Sequence, residues 1–207
     1  MKPVCLVLGA GAGIGGTVAA KFAKEGYHSY LCRRSDEEGL DRLIGNIKEA
    51  GGEASGCLMN AIEENSIEET ITMIEKDIGP IEVLVYNLGA QTGMKLLDQT
   101  SYKEFEWGWR MASFGLFRAA KVLCPLMVQR GKGNILVTSA TAAMRGNKNQ
   151  HSHAAAMGAR RMLCQSLNAE FGRQGIHVAH IVVDGAVDAP DTLGKMLGPE
   201  LYQQMRE

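Results

Sequence analysis

Neither sign of charge dominates this 207-residue chain: 22 Lys and Arg stand against 23 Asp and Glu, leaving a net charge of −1. The cations are scattered and form no stripe, which argues against nucleic acid or an anionic membrane surface as a partner. The five cysteines are odd in number and include no Cys-x-x-Cys pair, so neither a disulfide scaffold nor a thiolate metal knuckle is indicated. Cys5, Cys32 and Cys57 fall in apolar, strand-like runs, where cysteine acts as a small hydrophobe. A reduced, intracellular, cytoplasmic setting is expected. No apolar run approaches the roughly 18 residues of a spanning helix. Met1 to Leu8 leads into glycines without a signal-peptide cleavage pattern, so the protein is expected to be soluble. There is no internal repeat or low-complexity segment, and the length suits a single domain over 1–207.

What the sequence does have is concentrated near its start. The apolar run Val4 to Leu8 ends in Gly9-Ala10-Gly11-Ala12-Gly13-Ile14-Gly15-Gly16 and opens into a helix-like stretch from Thr17 to Glu25. It reads as strand, tight turn, helix. Glycines at alternate positions allow positive φ and bring backbone N–H groups close to a ligand, while the helix N-terminus adds partial positive charge. The combination predicts a phosphate or pyrophosphate site.

Strand and helix then alternate. Strands are predicted at Tyr27 to Cys32, Glu53 to Met59, Ile81 to Tyr86, Asn134 to Ser139 and His177 to Val183, with helices between them. Two helices are long, Lys103 to Gln129 and His151 to Phe171. The strands are apolar enough for a parallel sheet covered on both faces, so the fold class is α/β, a doubly wound, Rossmann-like sheet of six strands. Ligands of such sheets bind beyond the carboxyl ends of the strands. Along that rim lie the glycine turn, Cys32-Arg33, Asn60, Asn87-Leu88-Gly89, Ser139-Ala140 and Asp184-Gly185.

Gly9-x-x-x-Gly13-x-Gly15, the Asn87-x-Gly89 after the fourth strand and this order of elements resemble the short-chain dehydrogenase/reductase family over nearly the whole chain. The resemblance implies a nicotinamide dinucleotide held by Gly9, Gly11, Ala12, Gly13, Ile14 and Gly15. Arg33 and Arg34 stand at the adenosine ribose, Asn60 and Ala61 at the adenine, Asn87 and Gly89 below the cofactor, and Val187 after the sixth strand. An arginine after the second strand pairs with the 2′-phosphate of NADP, where an acidic residue would accept from the ribose of NAD. NADP(H) is therefore expected over NAD(H). The family also continues into a seventh strand, which this sequence is expected to lack.

The resemblance fails at the catalytic positions. The family uses a tyrosine acid/base, a lysine four residues later whose ammonium favours the phenolate, a serine that polarises the substrate carbonyl, and an asparagine that holds a water. Here those positions read His153, Met157, Ala140 and Ala112. No shift of register restores them, since no tyrosine occurs between Gly131 and Gly175. The expectation is a dinucleotide-binding protein without the standard chemistry. The alternatives are an oxidoreductase in which His153 moves the proton, with Arg161 two turns on replacing the lysine charge, and an interaction scaffold without cofactor.

No metal is expected. His151 and His153 lie two apart on a helix and diverge, while His177 and His180, three apart in a strand, face opposite sides. Phe105, Trp107, Trp109 and Phe114 are expected to form one aromatic cluster for core or dimer packing, and Met111, Met127, Met144 and Met162 to fill gaps near the cleft. A homodimer through 103–129 and 151–171 is expected.

Overall fold

All five residues from Val4 to Leu8 are apolar, and all are fully buried. Only a strand with neighbours on both edges and cover on both faces accommodates such a run. In the computed structural model, which describes residues 1–89, 95–185, 187–189, 194 and 197–206, that strand, β1 (Val4–Leu8), lies between β2 (His28–Arg33) and β4 (Ile81–Tyr86). With β3 (Glu53–Leu58), β5 (Gly133–Ala140) and β6 (Ile176–Val183) it completes a six-stranded parallel sheet of order β3-β2-β1-β4-β5-β6. The order reverses between β1 and β4, which opens the crevice there.

Side-chain alternation decides the layers. Cys5, Val7, Val83 and Val85 point to one face and pack with Ala19 and Ala23 of α1 (Ile14–Lys24) and Leu40 and Ile47 of α2 (Glu37–Glu49). Leu6, Leu8, Leu84 and Tyr86 point to the other face. They meet Ile67, Ile71 and Ile74 of α3 (Ser66–Asp77) and Leu116, Leu123 and Met127 of α5 (Gly115–Arg130). Cys164 and Leu167 of α6 (His151–Phe171) join that layer. Gly51 (φ 82°) and Gly131 (φ 68°) take the left-handed conformation that ends α2 and α5. The predicted tail contains α7 (Pro199–Arg206); residues 190–193, 195–196 and 207 lie outside the described residues.

Three expectations need correction. The helix predicted over 103–129 is α4 (Tyr102–Trp109), a π turn at Arg110–Phe114, and then α5. Gly115 N–H reaches back to the Arg110 carbonyl instead of that of Met111. Side chains donate to two carbonyls of the turn: the Tyr86 hydroxyl to Met111 O (2.5 Å) and Arg160 Nε to Ala112 O (2.9 Å). Taken together, Tyr102–Arg130 are long and apolar enough to cross a membrane by length and composition, contrary to the sequence expectation. Leu116, Ala119, Leu123 and Met127 nevertheless face the sheet core. Finally, β6 is not covered on both faces, since it is an edge strand with Ile181 and Val182 exposed.

The aromatic and methionine assignments also divide. Trp109, Phe114 and Phe117 stack in sequence at 5.4 and 6.5 Å on an exposed face, whereas Trp107 turns inward toward Arg34. Met111 and Met127 are buried, but Met144 and Met162 are exposed and fill no gap.

Candidate cofactor and substrate site

Of the glycines in the first turn, only Gly9 uses a positive φ (95°); the even glycine spacing overstated that need. A Cβ on Gly9 would stand 2.6 Å from the Asn87 carbonyl oxygen. Gly15 and Gly16 are required by close approach instead. A Cβ on Gly15 would collide with the Gly9 carbonyl, and one on Gly16 would come 2.7 Å from the Gly11 carbonyl. Gly11 has open space around it, and Gly13 is the N-cap of α1 without a side-chain cap. No side-chain cap competes for the first amides of α1, those of Ile14 and Gly15, whereas Gly16 N–H already donates to the Gly11 carbonyl at 2.8 Å.

Two neighbouring strands fix this turn. Gly9 N–H and Ala10 N–H both donate to Cys32 O at 2.9 Å, and Asn87 Nδ2 donates to Gly9 O at 2.9 Å. Gly89, two residues beyond Asn87, has open space at the position a Cβ would take, as far as the described residues go. From the far side, Ala189 reaches within 3.1 Å of where a Gly13 Cβ would sit. The segment containing half-buried Val187 thus passes beside the turn, while Ala12 and Ile14 flank the cap itself.

At the β2 end Arg33 is already paired. Its Nη2 lies 2.8 Å from Asp36 Oδ2, and Asp36, in the left-handed conformation (φ 70°), caps α2 by accepting from Gly39 N–H. Arg34 lies over the Trp107 ring, 6.0 Å from its centroid. Asn60 donates through Nδ2 to Glu63, but its Oδ1 is buried and accepts from nothing among the described residues. The adjoining Ala61 carbonyl accepts from Arg118 Nη1, and Arg118 forms a two-pronged ion pair with Glu68. That guanidinium holds the Glu68 carboxyl below the usual carboxylate range. Arg118 escaped the sequence reading because its partners lie on a different helix.

The β4–β5 side of the rim is a solvent-open cleft of about 420 Å³ bordered by Asn87, Leu88, Gly89, Thr138, Ser139, Ala140, His153, Met157 and Arg160. Ala140, His153 and Met157 are therefore brought together. Ser139 Oγ points to the Met157 sulfur at 3.8 Å. Ala112 lies fully buried behind the cleft, packed with Ala142, Ala143, Ala156 and Met157.

The arginine that lines the cleft with His153 is Arg160, where Arg161 was expected. Seven residues carry a helix to within about 20° of two full turns, whereas eight overshoot by about 80°. The phase that would have found Arg160 was therefore present in the sequence. Arg160 is 2% exposed, and its Nε, Nη1 and Nη2 donate to the carbonyls of Ala112 (2.9 Å), Thr138 (2.7 Å) and Leu88 (2.6 Å). Its guanidinium stacks over Tyr86, 5.2 Å from the ring centroid. Among the described residues no carboxylate pairs with it. Burial lowers its pKa, yet a guanidinium stays protonated. Its charge and that of Arg161, added to burial, push the His180 imidazole below its ordinary value.

Among the described residues no three His, Cys, Asp or Glu side chains are placed to hold a metal ion. A dinucleotide fits better. The cradle at Gly9, Gly15 and Gly16 has no room for side chains, the α1 amides suit a pyrophosphate, and the orphaned Asn60 Oδ1 suits an amino donor such as that of adenine.

Comparison with known proteins leads to the same description. The family model for the short chain dehydrogenases matches residues 3–194. The chain is 28% identical over 200 residues to a 7alpha-hydroxysteroid dehydrogenase of Escherichia coli (strain K12), covering 97% of this chain and 76% of that one. A short-chain dehydrogenase structure from Rhodopseudomonas palustris superposes with a TM-score of 0.82 at 31% identity, covering 87% of this chain and 84% of that one. A gluconate 5-dehydrogenase from Burkholderia cenocepacia J2315, solved with NADP and tartrate, superposes with a TM-score of 0.82 at 25% identity, covering 92% of this chain and 74% of that one.

Proposed function

The chain belongs to the short-chain dehydrogenase family, and we propose that it is an NADP(H)-binding member that does not run the family's standard reaction. The observation that carries this reading is the composition of the cleft. Around it stand Ala140, His153 and Met157, with Ala112 behind them, and the arginine lining it, Arg160, directs its three nitrogens at backbone carbonyls. A phenolate acid/base needs both a phenol and a nearby ammonium, and among the described residues that line this cleft there is neither. The nicotinamide, when bound, would supply hydride, but the proton partner would be lacking.

The cofactor end supports binding independently. Arg33 ends β2, where the family resemblance puts the adenosine ribose, and Asp36 holds its guanidinium at 2.8 Å; a 2′-phosphate would share that cation with the carboxylate. The complexed structure of the gluconate 5-dehydrogenase holds NADP, which supports the same preference. Titration of protein fluorescence with NADPH and NADH tests it. NADPH is expected to bind about tenfold more tightly, equivalent to ~1.4 kcal/mol, and binding of neither below millimolar concentration overturns the reading.

A second reading has one observation in its favour. Among the described residues lining the cleft, His153 carries the one imidazole, the side-chain type suited to moving a proton near neutral pH, and this makes it the acid/base candidate for reduction of a carbonyl substrate. Turnover of a carbonyl panel, abolished in His153→Ala, would establish this reading over the first. No turnover in either protein supports the first.

We further propose a cytoplasmic homodimer through 103–129 and 151–171. The exposed aromatic stripe of Phe105, Trp109, Phe114 and Phe117, together with exposed Met162 on α6, supports it. Light scattering on Trp109→Glu/Phe117→Glu tests it; a monomeric parent protein overturns it.

A further inference from the structure

Away from the cleft, β2 and β3 place two thiols side by side. Cys32 and Cys57 are register partners in the parallel ladder, and their sulfurs are 3.9 Å apart. Cys32 is fully buried, while Cys57, on the edge strand β3, is only half-buried. The remaining cysteines, Cys5, Cys124 and Cys164, are all buried. We propose that Cys32 and Cys57 form an oxidisable pair that closes to a disulfide on reaction with a hydroperoxide, and that this closure acts on the glycine turn.

Three features of the geometry support it. The sulfurs are already within about 2 Å of the ~2.05 Å bond length, and β3 has only one neighbouring strand to hold it back. The half-buried sulfur is the one an oxidant can reach. Cys57 also receives hydrogen bonds from Cys32 and from the Tyr30 phenol, which hold its thiol below the usual range, at about 6. The same contact, together with burial, pushes Cys32 up. The accessible member is thus the more readily ionised and the buried member the one that holds its proton more tightly, the division of labour that a nucleophile and a resolving thiol require.

The reaction balances with the hydroperoxide as sole oxidant. The Cys57 thiolate attacks the peroxide oxygen, the O–O bond breaks, and an alcohol or water leaves, giving a sulfenic acid on Cys57. The Cys32 sulfur then attacks the Cys57 sulfur. The S–O bond breaks, the S–S bond forms, and hydroxide departs with the Cys32 proton as water. Two thiols lose two electrons, and the hydroperoxide gains them.

The link to the turn is direct. The Cys32 carbonyl is the acceptor for both Gly9 N–H and Ala10 N–H, and Arg33 follows it in the chain. Drawing the two Cβ atoms together shifts the strand end on which those hydrogen bonds rest.

The test uses the full chain treated with one equivalent of hydrogen peroxide. Peptide mapping without reductant should find a single cross-link between residues 32 and 57 and a mass lower by two hydrogens. Cys57→Ser should prevent it, and Cys124→Ser should leave it unchanged. In the reduced protein, labelling by a dithiobis-nitrobenzoate reagent should give one fast thiol at Cys57, with a rate that rises through about pH 6. Amide exchange at Gly9 and Ala10 should be faster after oxidation. A cross-link through another cysteine, or sulfinic acid on Cys57 without any cross-link, overturns the pair; unchanged exchange at Gly9 and Ala10 in cross-linked protein overturns its action on the turn.

Discussion

The two halves of the rim solve opposite problems with the same backbone. On the β1–β2–β3 side the chain keeps side chains out: glycines pack against carbonyls, α1 begins without a side-chain cap, and Asn60 keeps an acceptor in reserve. Its buried cation, Arg118, is matched by Glu68. On the β4–β5–β6 side the chain fills its own interior with a guanidinium answered only by carbonyls and a tyrosine ring. The first half is shaped for a guest, and the second for holding itself together. A rim can thus hold a polar centre that serves the fold, because three strand and helix ends that converge need donors whether or not a substrate arrives.

The largest effect should come from removing that centre. Arg160→Met keeps most of the volume but strands three buried carbonyls, each costing roughly 1–3 kcal/mol, so urea denaturation should show a loss of at least about 3 kcal/mol. A loss below about 1 kcal/mol would mean that water replaces the guanidinium and that the two halves are not so different. Next, Gly15→Val forces a side chain against the Gly9 carbonyl. About 1–3 kcal/mol of stability and at least tenfold in NADPH affinity should go, as read by denaturation and fluorescence titration. Arg33→Ala should be milder for the fold, since its ion pair with Asp36 is near the surface and such pairs contribute about 0–1 kcal/mol. It should nevertheless remove the preference for NADPH over NADH.

The smallest effect separates the halves by pH. The His180 imidazole is below its ordinary value in the folded chain, so the folded state favours the neutral ring. Its contribution is complete above the unfolded value of about 6.5 and is lost as pH falls below it. The Glu68 carboxyl is also lowered, so its stabilisation holds above about 4.3 and disappears only in more acid solution. A stability profile should therefore slope first just below about pH 6.5, through His180 and through His28, whose imidazole burial also lowers, and His180→Gln should reduce that slope while leaving the more acid limb unchanged.

The halves also differed in how far they could be read from sequence. The glycine turn is local: strand, glycines and helix are consecutive, and the pyrophosphate cradle follows from their order. The sheet was readable for the same reason, since each strand announces itself through its own apolar run. Arg160 is the opposite case. Its role depends on carbonyls at residues 88, 112 and 138, and the one at Ala112 lies in a π turn that hydropathy spacing does not signal. The Arg33–Asp36 pair lies between these extremes. It spans three residues, but the left-handed cap that orients Asp36 was invisible.

The pairing of β1 with β4 has a consequence in time. Each half of the sheet can form from strands that follow one another closely in the chain, yet the seam between the halves joins residue 4 to residue 81. Loop closure grows more costly with length, by about 0.6 kcal/mol per doubling, and non-local pairings are the slow ones. Refolding should therefore build secondary structure before it builds the crevice. A chain caught between those stages would have its strands, its thiols and its glycine turn, but Asn87 would not yet be there to hold Gly9, and the molecule would have nowhere to put a nucleotide.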